Sequence, residues 1–225
     1  MNGMLNIDWN NIDIYTDEEI TYFLYLEGKN IDAICKIRNL SRDIVENGII
    51  NGKIKYGILV KSNNERELFN SISSSGKFDK IDILKNLDNI NKHRLVEFIN
   101  RNYSDMKTKD KENAIWILGE LKSKLGFNIL IKGTVHNHVN VRRMAVSALG
   151  KLGDKSGEVA LIRALDDINP QVVMYAIKAL AKIKSHRALK KIEYIKDLKC
   201  KEYVRKSAEE YINAINNEIK RGNLT

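Results

Sequence analysis

The sequence predicts an all-α protein: an α-solenoid of stacked helical hairpins preceded by a small helical module. Three observations carry this. Four stretches read as one helix at a near-constant offset: NAIWILGEL from Asn113, MAVSALGKL from Met144, YAIKALAKI from Tyr175 and SAEEYINAI from Ser207. The composition is 43% hydrophobic with a single proline in 225 residues, so little interrupts helices. The first 60 residues carry helix signals but do not share the period.

The amino-terminal module opens with Thr16 and Glu19 at capping-box spacing. The helix they start should turn Ile20, Phe23, Leu24 and Leu26 inward and end at Gly28. A short helix with Ile34, Cys35 and Ile37 inward should follow. Asn39 then takes the left-handed conformation that a sharp turn needs, and Ser41 N-caps a third helix with Ile44, Val45 and Ile49 facing back. Ser62 and Glu65 repeat the capping spacing before a short helix through Phe69, and SISSSGK from Ser71 reads as a flexible connection. These signals divide the chain into a helical module over 1–61, a connecting helix and linker over 62–80, and the solenoid over 81–225.

In the solenoid, Ala114, Ala145 and Ala176 are spaced 31 and 31 residues, and Ala208 follows after 32. Leu118, Leu149, Leu180 and Ile212 keep the same steps, as do Leu121, Leu152, Ile183 and Ile215. A period in this range marks units that bury their apolar faces only against neighbours. The first helices of the hairpins are expected near 93–103, 127–134, 158–166 and 187–198, because Leu130, Leu161 and Ile192 share the 31-residue step. Ala145, Ala148, Ala176 and Ala179 permit close helix approach. Trp116 should face the core. Ile83, Leu87 and Ile90 lie one period upstream of the first repeat and suggest a capping element there.

The net charge of +9 is uneven. Residues 1–100 hold 13 Lys/Arg against 15 Asp/Glu, and residues 101–225 hold 25 against 14. A basic half invites polyanions, since neutralising phosphates drives nucleic-acid binding. A compositional origin is equally open, because lysine outnumbers arginine 27 to 11 in a chain rich in Ile and Asn, all favoured by AT-rich codons. Lys182, Lys184, Lys190, Lys191, Lys199, Lys201 and Lys206 form the densest basic run. Cys35 and Cys200 are isolated, which suits free thiols in a reducing cytoplasm. The first residues lack a secretory pattern, and no apolar run is long enough to span a bilayer, so no membrane partner is expected.

The stretches NVRRMAVSALGKLGD and ALIRALDDINPQVVMYAIKALAKI resemble HEAT repeats of the short type named after phycobilisome lyases. That pattern places an aspartate before the second helix and an arginine just inside it. Asp167, Arg142 and Arg205 match, whereas His136 and Val173 depart. The resemblance implies an inter-repeat hydrogen-bond ladder for Arg142 and Arg205. Residues 17–56 resemble the helix-turn-helix superfamily, with Cys35 at the helix crossing and Asn39 where glycine is usual. By that motif's docking geometry Ser41, Arg42, Asp43, Glu46 and Asn47 would face the major groove, with Lys53 and Lys55, and Lys61 beyond Tyr56, on the backbone. Asp43 and Glu46 oppose phosphates, and Gly48 stands where a bulky apolar residue normally locks the recognition helix.

No catalytic constellation is legible, so a non-enzymatic protein without cofactor, metal or evident small-molecule substrate is expected. The His136/His138 pair lacks a third ligand nearby, and there is no phosphate-binding glycine loop. Three readings follow. One is a HEAT scaffold that binds DNA through Ser41, Arg42, Asn47, Lys53, Lys55 and the carboxyl-terminal lysines, with a protein partner on the remaining surface. Another is a protein–protein adaptor indifferent to nucleic acid. A remote third is a HEAT-like alkylpurine DNA glycosylase, loosely suggested by Trp116, Asp110 and the basic half.

Overall fold

The structure, a computed structural model, describes residues 3–198 and 200–222, with side chains up to Glu218. All regular structure among the described residues is helical: thirteen α-helices and six 3-10 segments. By internal contacts the chain divides into Met1–Leu95 and Val96–Thr225.

In the first unit, α1 (Asp17–Leu26) opens with the predicted capping box: Thr16 Oγ1 accepts from the Glu19 amide at 3.3 Å, and Glu19 Oε2 accepts from the Thr16 amide at 2.8 Å. It ends before Gly28, whose φ of +82° suits glycine. Then α2 (Ile31–Arg38) stops at Asn39, left-handed at φ 52° and ψ 45°. The next helix, α3 (Arg42–Lys61), runs for 20 residues and carries Lys53, Lys55 and Tyr56 within it. Three internal glycines would weaken an isolated helix. Here tertiary packing reverses the argument, because a β-carbon at Gly52 would overlap the Tyr22 ring and one at Gly48 would press on Thr21. The small residues let α1 lie directly on α3.

Three details differ from expectation. Ile37 and Ile44 are exposed, whereas Ile34, Val45 and Ile49 are buried as expected. Ser62 ends α3; Asn64 opens α4 (Glu65–Ser74) by accepting from the Glu67 amide at 3.0 Å. The serine-rich stretch is therefore largely helical, and α5 (Lys77–Asn86) follows almost at once. α5 packs on α3 and α4, so the helix expected to cap the array belongs by contact to the first unit. An aromatic cluster sits where α1 meets α3: Tyr22 and Tyr56 stack at 6.2 Å between centroids, and Tyr15 meets Phe23 edge-on at 5.0 Å. The division between units falls within α6 (Asn89–Asn102).

In the second unit, α7 (Thr108–Glu120), α9 (Val139–Leu152), α11 (Pro170–Lys182) and α13 (Glu202–Gly222) stack side by side. The helices α8 (Phe127–Gly133), α10 (Glu158–Arg163) and α12 (Leu189–Asp197) pair with the second helices that follow them. Leu130, Leu161 and Ile192 are fully buried, as are Ala114, Ala145, Ala176 and Ala208. The closest approaches join glycine to alanine. A β-carbon on Gly119 would stand 2.7 Å from Ala148 Cβ, and one on Gly150 2.8 Å from Ala179 Cβ, one period later. In the last repeat one position departs from the prediction: Ala208 and Ile215 are buried as expected, but Tyr211 rather than Ile212 is buried between them and donates its hydroxyl to the Ser185 carbonyl. Trp116 is half-buried, whereas its neighbours Ile115 and Ile117 are fully buried.

Candidate interaction surface

Each hairpin of the array turns between its two helices on the same edge, and in two of the turns side chains replace the missing helical hydrogen bonds. After α10 a 3-10 segment, Ala164–Asp166, tightens the chain and leaves Asp167 extended. Asp167 Oδ1 accepts from the Asn169 amide at 2.9 Å; Asn169 in turn accepts from the Gln171 amide at 2.9 Å as N-cap of α11, with Pro170 at its first position.

Arg142, in the first turn of α9, reaches across to this turn. Its Nε donates to Asp167 Oδ2 at 2.6 Å and its Nη2 to Oδ1 at 3.0 Å, while Nη1 donates to the carbonyls of His136 and Asn137 at 2.9 and 3.0 Å. One guanidinium thus ties two consecutive turns with a bidentate pair, the rung implied by the HEAT resemblance. Burial alone would raise the Asp167 carboxyl, but the hydrogen bonds from Arg142 and the Asn169 amide hold it below its ordinary range. Burial, together with nearby Lys111, His138 and Arg142, pushes His136 down, so its imidazole is neutral at pH 7 and accepts from the His138 amide at 3.1 Å. The rung is not repeated one period later, where Val173 and Leu198 stand in the places of Arg142 and Asp167, and Arg205 pairs with Glu202 in its own first turn.

Three apolar side chains stand outward on successive turns of this edge: Val135, Ile168 and Leu198, with Ile168 94% exposed. A groove of about 510 Å³ lies on one side of Ile168, lined by Val135, His136, Arg142, Arg163 and Asp167 among others. A second, of about 490 Å³, lies on its other side and is mostly apolar, lined by Leu165, Pro170, Val173, Ile195, Leu198 and Val204 among others. The sequence reading overlooked these three residues. Their signal was present as one aliphatic residue inside each polar turn, in TVHN, DDINP and DLKC.

The basic residues singled out from the sequence do not gather at one place. Lys182 and Lys184 lie at one end of α11, whereas Lys201 lies beyond the far end of α12, which runs back alongside. A 13-residue helix separates these ends by roughly 20 Å. Lys184 pairs with Glu218 at 2.9 Å and Lys191 with Asp166 at 2.6 Å. Lys182, Lys190, Lys201 and Lys206 are exposed with no ion pair among the described residues, and Lys199 lies outside the described residues. In the first unit Ser41 and Asn47 are exposed on α3 or its cap. Arg42 is held by Asp32 at 2.9 Å and Glu46 at 2.8 Å. Lys53 sits 4.9 Å from the Tyr25 ring centroid, and Lys55 donates to Glu19 at 2.6 Å.

Residues 127–213 match the family model for HEAT repeats. This match and the stacked hairpins support a HEAT-repeat protein. No curated protein matches the chain. Within the HEAT segment lie both grooves and the Arg142–Asp167 rung. Among the described residues no helix is long and apolar enough to cross a membrane, and no three His, Cys, Asp or Glu side chains converge to hold a metal ion.

Proposed function

We propose that this chain is a non-enzymatic scaffold whose HEAT array captures a protein partner along the turn edge. HEAT repeats serve such roles, and the observation that carries the reading is the row of Val135, Ile168 and Leu198 with a groove on either side of Ile168. A single exposed aliphatic is ordinary. Three on successive turns make a strip that an extended segment can follow, with its side chains entering the grooves and the Arg142–Asp167 rung beneath. The test is quantitative co-purification from the native host extract with wild type, Ile168→Asp and Val135→Asp. A partner captured by wild type and lost from both variants is expected. Capture unchanged by both would overturn the reading.

A second reading, duplex DNA, draws on the basic excess of residues 101–225 and on the exposed Lys182, Lys190, Lys201 and Lys206. It places Ser41, Arg42, Asn47, Lys53 and Lys55 against the duplex. Its weak point is that Arg42 and Lys55 already satisfy carboxylates of their own module. A gel-shift titration over salt separates the two: DNA binding should weaken steeply as salt rises, whereas absence of a shift at low salt sinks it.

A further inference from the structure

The face of α3 turned away from its own core carries two neighbouring exposed isoleucines among polar side chains, where a free helix should be polar. Val45, Gly48, Ile49, Gly52, Tyr56 and Leu59 are buried. At 100° per residue the opposite face carries Asp43, Ile50, Ile54 and Lys61 along its midline, with the exposed Asn47 as close to that line as Ile50. Ile50 is 53% and Ile54 80% exposed. Gly57 lies beside them, and open space surrounds the place a β-carbon would occupy. Asp43 and Lys61 have no ion pair among the described residues. An outward helix stripe of this kind marks an interaction surface.

The order of these residues says what the partner is. Asp43 and Lys61 are equidistant from the level of residue 52, and so are Ile50 and Ile54. A second copy of α3, reversed about a two-fold axis at that level, therefore sets Ile50 against the partner's Ile54 and Asp43 against the partner's Lys61. Symmetry makes each contact twice, as an isologous interface requires. Gly57 lets the second helix approach closely, and antiparallel helices crossing at about 20° stay in contact over this length. The pairing also sets the positive amino-terminal end of each helix dipole beside the negative end of the other.

We propose that the chain forms a homodimer through antiparallel pairing of α3, with the four isoleucines at its centre and two Asp43–Lys61 pairs at its ends. A strip this narrow falls short of the roughly 800 Å² per partner of a standard interface, so dissociation in the micromolar range is expected. The surface is separate from the HEAT turn edge, and pairing and DNA reading through Asn47 exclude each other.

The test is sedimentation velocity of the full chain over a concentration series. Wild type should shift from monomer to twice that mass, and Ile54→Glu should stay monomeric. Asp43→Lys and Lys61→Asp should each weaken dimerisation about tenfold, because each sets like charges at both ends. The double variant Asp43→Lys/Lys61→Asp should restore it. These positions are exposed, so unchanged circular dichroism is expected throughout. A wild type that remains monomeric at about 100 μM, well above the expected constant, overturns the proposal. So does a double variant no better than the singles, since only self-pairing predicts that rescue. Ile168→Asp should dimerise normally, so failure of the scaffold reading and failure of this one are distinguishable.

Discussion

The two units solve the same packing problem with different sequence strategies. In Met1–Leu95, α1 and α3 close on each other through Gly48 and Gly52, and aromatic rings fill the space around them. In Val96–Thr225, second helices close on one another through Gly119·Ala148 and Gly150·Ala179, and aliphatic layers repeat. The first contact occurs once and the second recurs. A recurring contact distributes stability over neighbouring repeats, whereas a unique one concentrates it at a single crossing. The polar ties follow the same division. In the array Lys151–Glu120, Arg163–Thr134, Arg187–Glu158 and Lys191–Asp166 join residues about one period apart. In the first unit Glu19 alone gathers Thr16, Lys55 and Tyr56.

The largest expected effect breaks the array at its rung. Arg142→Ala strands the nearly buried Asp167 carboxylate and should cost about 3 kcal/mol, read by urea denaturation. Hydrogen exchange should show the loss confined to α8–α11. Next come the helix crossings. Gly52→Val and Gly150→Val should each cost about 2 kcal/mol by overpacking. The comparison is sharpened by where exchange protection falls: across the whole first unit for Gly52→Val, but mainly between α9 and α11 for Gly150→Val.

A smaller effect is expected at Glu19, about 1–2 kcal/mol for Glu19→Gln, because the buried Tyr56 hydroxyl keeps an acceptor but Lys55 loses its charge partner. Burial alone would raise the Glu19 carboxyl, yet hydrogen bonds from Lys55, Tyr56 and the Thr16 amide hold it at about 2, from an ordinary 4.5. A depressed carboxylate stabilises the fold above its unfolded value, and that contribution is lost as pH falls from about 4.5 through 2. Wild type and Glu19→Gln should therefore converge in acid denaturation curves. The smallest effect belongs to Arg205→Ala, within about 0.5 kcal/mol by thermal unfolding, since its pair with Glu202 is exposed. A large loss there would mean that the rung extends further than Arg142.

Much of the array was legible because its residues recur in register. Leu130, Leu161, Ile192 and the four alanines needed only the period. Capping at Thr16, Asn39 and Asn169 was legible because each depends on its immediate neighbours. The turn edge was half legible: Arg142 and Asp167 stood out by resemblance, while Val135, Ile168 and Leu198 passed as turn residues because a lone aliphatic in a turn carries no local signature. Trp116 and Ile44 were misplaced for one reason: helical spacing defines faces but not which face meets a neighbour.

By itself, then, the sequence determined the helices, most of their ends, and a stacked array of 31-residue hairpins, because these follow from local hydrogen bonding and a period that any reader of the chain can count. Only the tertiary structure decided that three glycines sit inside one 20-residue helix, that the lysine run is split between opposite ends of the hairpins and partly neutralised, and that three turn aliphatics line one edge. Each of these depends on which distant residue lies within a few ångströms. That distance is set by packing between helices rather than by spacing along the chain.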